Sequence, residues 1–242
     1  MKAARFYFSL RSPYSWLACR DLVSAYADVA DVIEWRPFWE PDEESRAALT
    51  DSGGSFPYVD MSRAKALYIL QDVRRLAQRR GLAIAWPVDR APHWEVAHLA
   101  YLAAERAGRG RAFIDAVYRA RWEEGRDISD PATMAAVATE LQLSPEDLST
   151  AVSDPQLRAD GIVALRRIDR DGVFGVPFFV HGREKFWGLD RLPDFAAAVR
   201  ADRRADAESA QLVTATGPAS TDDQVPVIVG PGGDQGHAGG CG

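Results

Sequence analysis

Strand texture occurs in two parts of this chain, and they lie far apart in sequence. Residues 4–9 and 32–38 form one part; residues 178–181 and 184–187 form the other. Between and after them, apolar residues recur at helical intervals. In the first part, "ARFYFS" is aromatic-rich and bounded by a turn. Ser12-Pro13 then opens a helix whose apolar face carries Trp16, Leu17, Leu22 and Val23, and "VIEWRPF" follows. At this spacing the two strands are expected to be parallel and joined by a right-handed crossover. The second part, "GVPFFVHGREKFWG", reads as a hairpin turning at Gly182.

The intervening block is helical. "EPDEESRAALTDSGGS" reads as a polar loop, after which residues 60–80 form a helix. Its apolar face is Leu67, Leu70, Val73 and Leu76, and Gly81 ends it. Further helices are expected over 94–107, 112–122, 131–141, 145–152 and 155–169, and a last one over 190–200 starts at Asp190. From residue 202 the sequence turns to Ala, Gly, Pro, Ser and Asp, which predicts a flexible tail with at most a short strand at 225–229. The order βαβ, helices, αββα is that of an α/β thioredoxin-like fold with an all-helical insertion. Residues 1–40 and 160–201 would form the thioredoxin-like domain, 41–159 the insertion and 202–242 the tail.

Composition narrows the function. The 242 residues, 47% hydrophobic and 26% charged, suffice for a hydrophobic core and match a soluble globular chain. A net charge of -6, with arginines mixed among acids, argues against nucleic acid as a partner. No apolar run approaches the roughly 18 residues of a membrane span. "MKAARFYFSL" lacks the apolar region and cleavage site of a signal peptide, so a cytoplasmic location is expected. Cys19 and Cys241 belong to no Cys-x-x-Cys pair or zinc spacing, and no structural disulfide is expected. His93 and His98 are five apart rather than four, so they are not read as a helical metal pair. Cys19 and His181 read as structural, and Trp16, Trp39, Trp94 and Trp187 as core or cleft wall.

The motif that carries chemistry is "RSPYSWLAC". Ser12 has an ordinary reading as an N-cap before Pro, and the chain uses that device again at Asp130-Pro131, Ser144-Pro145 and Asp154-Pro155. Three features point further. The Ser12 helix follows the first strand directly, so its N-terminus lies at the carboxyl edge of the parallel pair, where open α/β folds bind ligands. Val176-Pro177 opens the later strand pair, where a cis bond would mark a deliberate turn. Asp190 can accept a ligand's ammonium group.

The segments "FYFSLRSPYSWLA", "RAKALYILQDVRRLAQRRGL", "YRARWEEGRDISDP" and "DGVFGVPFFVHGREKFWGLDRL" span residues 5–195. In them the chain resembles the DsbA-like thioredoxin-fold branch that includes 2-hydroxychromene-2-carboxylate isomerases and kappa-class glutathione transferases. The resemblance implies that glutathione, or another low-molecular-weight thiol, binds with its sulfur at Ser12. It implies that Val176 pairs through its backbone with the cysteinyl unit, that Pro177 is cis, and that Asp190, with Arg191 beside it, binds the γ-glutamyl end. Tyr14, Lys65, Tyr68 and Asp72 match residues lining the family's cleft; the last three, at i, i+3 and i+7, share a helical face. It also implies a small-molecule substrate and a homodimer. The chain departs from the family's pattern at Leu189, at Phe178 and in "VDRAPHWEVAH".

Ser12 and Ser15 stand where a redox thioredoxin fold has its two cysteines, which excludes dithiol exchange at this place. What remains is thiolate stabilisation. A thiol pKa near 8.5 falls to about 3.5–7.5 at a favourable helix N-terminus, and a hydroxyl donor adds about 1.5–3 kcal/mol. Such a thiolate can add to an electron-poor double bond, permit rotation and leave, which is a cis–trans isomerase cycle. A thioether that stayed attached would make the enzyme a transferase, and binding without turnover would make it a ligand-binding module. The chain ends in Cys241-Gly242, like glutathione, and a tail of about 40 residues spans roughly 35 Å, so Cys241 is a further candidate thiol.

Overall fold

β1 (Ala4–Phe8) ends in three consecutive buried aromatics, Phe6, Tyr7 and Phe8, so it is covered on both faces, as suits the interior of a sheet. The computed structural model describes residues 4–57 and 61–215. Its sheet has the order β2-β1-β3-β4, with β2 at Glu34–Pro37, β3 at Phe178–His181 and β4 at Glu184–Trp187. β1 runs parallel to β2 and antiparallel to β3, which pairs antiparallel with β4. Phe6 and Phe8 point to one face, where Phe6 stacks on Phe179 at 4.9 Å and Phe8 meets Tyr101 edge-on at 5.2 Å. Tyr7 points to the other face. Its hydroxyl donates to Asp171 at 2.6 Å, and Arg5 and Arg36 pair with the same carboxylate at 3.2 and 3.3 Å.

The helices are α1 (Pro13–Ala25), α2 (Ala27–Ala30), α3 (Glu43–Asp51), α4 (Arg63–Arg79) and α5 (Trp94–Arg106). They continue as α6 (Gly110–Tyr118), α7 (Pro131–Glu140), α8 (Pro145–Ser149), α9 (Pro155–Asp171) and α10 (Leu192–Ala215). Ser12, Asp130, Ser144 and Asp154 all cap their helices through the side chain, with Pro at the first turn. Residues Met1–Arg204 form one compact unit. In it α5 and α9 approach closely at Gly161, where an added Cβ would lie 2.9 Å from Leu99. No helix of the described residues is long and apolar enough to cross a membrane.

Several expectations are corrected. The polar stretch after Pro41 contains α3, because Asp42 accepts the Ser45 N–H at 2.8 Å and Glu43 and Glu44 fill the first turn. Those acids favour a helix start. In α4 the apolar periodicity does not mark the buried face: Val73 is buried, while Leu67 and Leu70 are exposed. Val23 in α1 is exposed as well. Asp190 does not cap the last helix. It lies in a 3₁₀ turn, Leu189–Arg191, and α10 begins at Leu192. α10 also continues past residue 202, because "ADRRADAESAQ" is rich in strong helix formers. The expected strand at 225–229 and Cys241 lie outside the described residues.

Candidate active site

The loop from β1 to α1 is held from below by the helical insertion. His98 of α5 is fully buried and donates from Nδ1 to the Trp94 carbonyl at 2.7 Å. Its Nε2 is therefore the acceptor, and it takes the Leu10 N–H at 3.1 Å. Burial pushes its pKa down to about 3, so the ring is neutral near pH 7. Trp39 stacks on it at 5.3 Å. The Ser9 carbonyl accepts from the Tyr118 hydroxyl at 2.9 Å and from the Ser12 N–H at 3.0 Å, while the Ser9 N–H donates to Ser15 Oγ at 3.3 Å.

Ser12 emerges from this frame half-buried. Its Oγ accepts the Ser15 N–H at 3.2 Å, which leaves the hydroxyl proton free to be donated. Pro13 has no N–H, and the Tyr14 N–H makes no hydrogen bond to another described residue. A donor hydroxyl and a free helix amide therefore point the same way.

They face a cavity of about 410 Å³, here termed the chamber. Phe38, Phe56, Trp86, Trp122, Phe174 and Trp187 make its aromatic walls, and Lys65 and Val176 line it too. Trp122 belongs to a π-helical turn, Arg119–Glu123, that follows α6; such turns recur at functional sites. In the same turn Arg121, 3% exposed, pairs through both guanidinium nitrogens with Asp89 at 2.9 and 2.7 Å. That pair ties the loop carrying Trp86 to the turn, and the Ala85 N–H donates to the Trp122 carbonyl at 2.8 Å.

A second cavity of about 600 Å³, the groove, adjoins the chamber; Tyr14, Val176 and Trp187 line both. Tyr68, Asp72, Pro177, Leu189 and Asp190 complete much of its wall. The Val176-Pro177 bond is cis, and neither the N–H nor the C=O of Val176 bonds to another described residue. The Tyr14 hydroxyl donates to Asp72 at 2.9 Å, and burial together with that bond raises its pKa, so it stays a donor. Gly188 adopts φ +101°, and an added Cβ there would lie 2.7 Å from the Asp190 carboxylate.

The residues singled out in the sequence are thus divided by the structure. Ser12, Tyr14, Lys65 and Val176 line the chamber; Tyr14, Tyr68, Asp72, Val176, Pro177 and Asp190 line the groove. Arg191 lines neither and pairs with Asp190 and Asp194 at 3.6 Å. The sequence reading missed Arg11, Glu40 and most of the aromatic wall, since nothing in the spacing links residues 38, 56, 86, 122 and 174. It also passed over His98, whose helix gives no sign that its ring braces a distant loop. Cys19 is buried, and burial raises its thiol pKa, so it is no nucleophile. Among the described residues, Asp42, His93 and Glu95 bring their ligand atoms within 4.8 Å of one another. Arg158 already neutralises Asp42 at 3.0 Å, so this cluster ties α3 to α5 and α9.

The sequence matches the DSBA-like thioredoxin domain family over residues 4–200. It is 29% identical over 192 residues to a 2-hydroxychromene-2-carboxylate isomerase of Sphingobium xenophagum, covering 79% of this chain and 94% of that one. It is 27% identical over 195 residues to an enzyme of the same name from Pseudomonas putida, covering 77% of this chain and 89% of the relative. Among solved structures, a 2-hydroxychromene-2-carboxylate isomerase superposes with a TM-score of 0.66 at 22% identity, covering 85% of this chain and 98% of that one.

Proposed function

The chain belongs to the DSBA-like thioredoxin domain family, and from that premise we propose that it is a thiol-dependent cis–trans isomerase of the 2-hydroxychromene-2-carboxylate isomerase type, acting on a small aromatic or unsaturated acid. The observation that carries this reading is Ser12: a free hydroxyl proton, beside the free Tyr14 amide, faces an aromatic chamber at the point where it meets the groove. The two named relatives support the reaction class. Serines at positions 12 and 15 leave no dithiol for exchange there.

The residues fit glutathione or another low-molecular-weight thiol. The unpaired N–H and C=O of Val176 suit a peptide-like backbone, and the acidic groove wall, with Asp190 exposed, suits an ammonium group. Bound there, the thiol supplies a nucleophilic sulfur that adds reversibly to an electron-poor double bond and leaves after rotation. Ser12 donates to the sulfur anion, and the Tyr14 amide and the α1 dipole favour the same charge. Tyr14, held by Asp72, fixes the wall between the two cavities. The aromatic walls exclude water from the reacting carbons. A cytoplasmic setting suits this chemistry, because reduced thiols are abundant there. A homodimer belongs to the same reading on the family likeness, and light scattering on the eluting protein tests it.

Ser12→Ala is expected to lower turnover roughly 10- to 100-fold, the loss of one hydrogen bond to a charge. Ser144→Ala is the control: it removes the same Ser-Pro cap at α8, costs about 1 kcal/mol, and should leave turnover unchanged. Equal turnover in wild type and Ser12→Ala removes Ser12 from the mechanism. Activity should require added thiol. Turnover without it, lost on truncation before Gly239, would point to Cys241 as the thiol instead. A thioether product would make the enzyme a transferase.

A further inference from the structure

The two cavities differ in how their charged side chains are paired. In the groove each lining carboxylate has an arginine partner: Asp21 pairs with Arg80 at 2.8 and 2.6 Å, Asp72 with Arg75 at 3.2 Å and Asp190 with Arg191 at 3.6 Å. The charged residues lining the chamber are Arg11, Glu40 and Lys65. Glu40 is shared between two guanidinium groups, Arg11 at 3.3 Å and Arg46 at 3.7 Å, and Arg46 does not line the chamber. One carboxylate thus divides its charge between two cations, and the chamber is left with a positive surplus.

Arg11 is also well placed by the frame around it. The residue before it, Leu10, is held by His98, and the residue after it is the Ser12 cap. Its guanidinium lies over the Trp94 ring at 5.1 Å, and its bond to Glu40 uses one nitrogen. Of the five N–H donors of a guanidinium, the rest remain for a partner. The ring contact and the Glu40 bond hold the fork, so less side-chain freedom is lost on binding a planar anion. The side chain is 38% exposed, open enough to be reached. The facing walls are aromatic.

We propose that Arg11 is the specificity-determining residue of the chamber: it takes the carboxylate of a flat aromatic acid with its free guanidinium edge, while Glu40 and Trp94 hold that edge in place. This deepens the proposed function and rests on its reading of the chamber as the substrate site. Lys65 contributes positive potential from α4 and does not make the discriminating contact.

The test is equilibrium binding and needs no turnover. Four tryptophans, Trp39, Trp86, Trp122 and Trp187, line the chamber, so quenching of tryptophan emission reports entry of a ligand. The probes are 1-naphthoate and its methyl ester, titrated into the full-length wild type, Arg11→Leu, Arg11→Lys and Lys65→Met. Wild type should bind the acid at least about tenfold more tightly than the ester, the scale of a hydrogen bond to a charge. Arg11→Leu should lose that preference, binding the ester within about twofold of wild type. Arg11→Lys should recover part of it, and Lys65→Met should keep most of it. Unchanged affinity of Arg11→Leu for the acid overturns the proposal. So does a wild type that binds neither probe or makes no distinction, or a preference lost in Lys65→Met instead. A glutathione thermal shift on each variant shows that the groove is intact. The preference present in wild type and lost in Arg11→Leu, together with absent isomerase turnover, would sink the isomerase reading and leave Arg11 standing; the reverse outcome would do the opposite.

Discussion

His98 joins two parts of the chain that are 88 residues apart by accepting the Leu10 N–H, and it does so only while neutral. Its pKa is about 3 in the folded protein and near 6.5 when unfolded, so the unfolded state gains a proton first as pH falls. Its contribution to stability is complete above about pH 6.5 and is lost progressively as pH falls toward 3. The slope is at most about 1.4 kcal/mol per pH unit. His98→Gln, which keeps an acceptor but cannot titrate, is expected to flatten the limb between pH 6.5 and 4 in chemical denaturation measured at each pH. An unaltered limb would mean that other groups set the acid response. Asp42 acts in a lower window: it is partly buried, but the Ser45 N–H and Arg158 hold its pKa down to about 2, so its share is lost between about pH 4 and 2.

Whole elements meet at positions where side-chain volume decides the fit. α5 and α9 touch at Gly161, with Leu99 and Trp39 against it. Gly161→Val overfills that crossing, and a loss of about 1–3 kcal/mol in urea denaturation is expected, with secondary structure retained by far-UV circular dichroism. The turn between β4 and α10 sets a different limit, because Gly188 holds φ +101° and its α-carbon faces the Asp190 carboxylate. Gly188→Ala is expected to cost about 1–2 kcal/mol and to weaken the glutathione thermal shift, since the groove wall at Asp190 must move. A variant that binds glutathione as wild type does would take Asp190 out of thiol binding. α4 shows how an element serves two cavities: Lys65, Ala66 and Ile69 face the chamber, and Tyr68, Asp72 and Leu76, further along, face the groove.

For the molecule as a whole, the insertion and the sheet share one compact unit, Met1–Arg204, with His98 and Tyr118 reaching from the helices to the loop after β1 and Tyr101 to β2. Unfolding is therefore expected to be a single cooperative step, with near-UV and far-UV circular dichroism transitions at the same denaturant concentration. Separate transitions would show that the helical block holds together without the sheet.

Much of this architecture is local and is legible from short-range pattern alone. The β1–α1–β2 unit, the hairpin at Gly182, the Ser-Pro and Asp-Pro caps and the placement of Ser12 at a helix N-terminus follow from alternation, helical spacing and capping chemistry, which act within a few residues. α3 was locally encoded too, but its acidic first turn has the composition of a loop. Which distant residues share a surface is set by packing, not by local pattern. Leu67 and Leu70 have the spacing of a buried face, yet Val73 and Ala77 are the ones covered, because burial depends on where α1 lies and not on periodicity. The aromatic walls, the His98 brace and the surplus charge at Arg11 come from separate elements. Their meeting is set by packing across the sheet and insertion, and no short-range pattern encodes it.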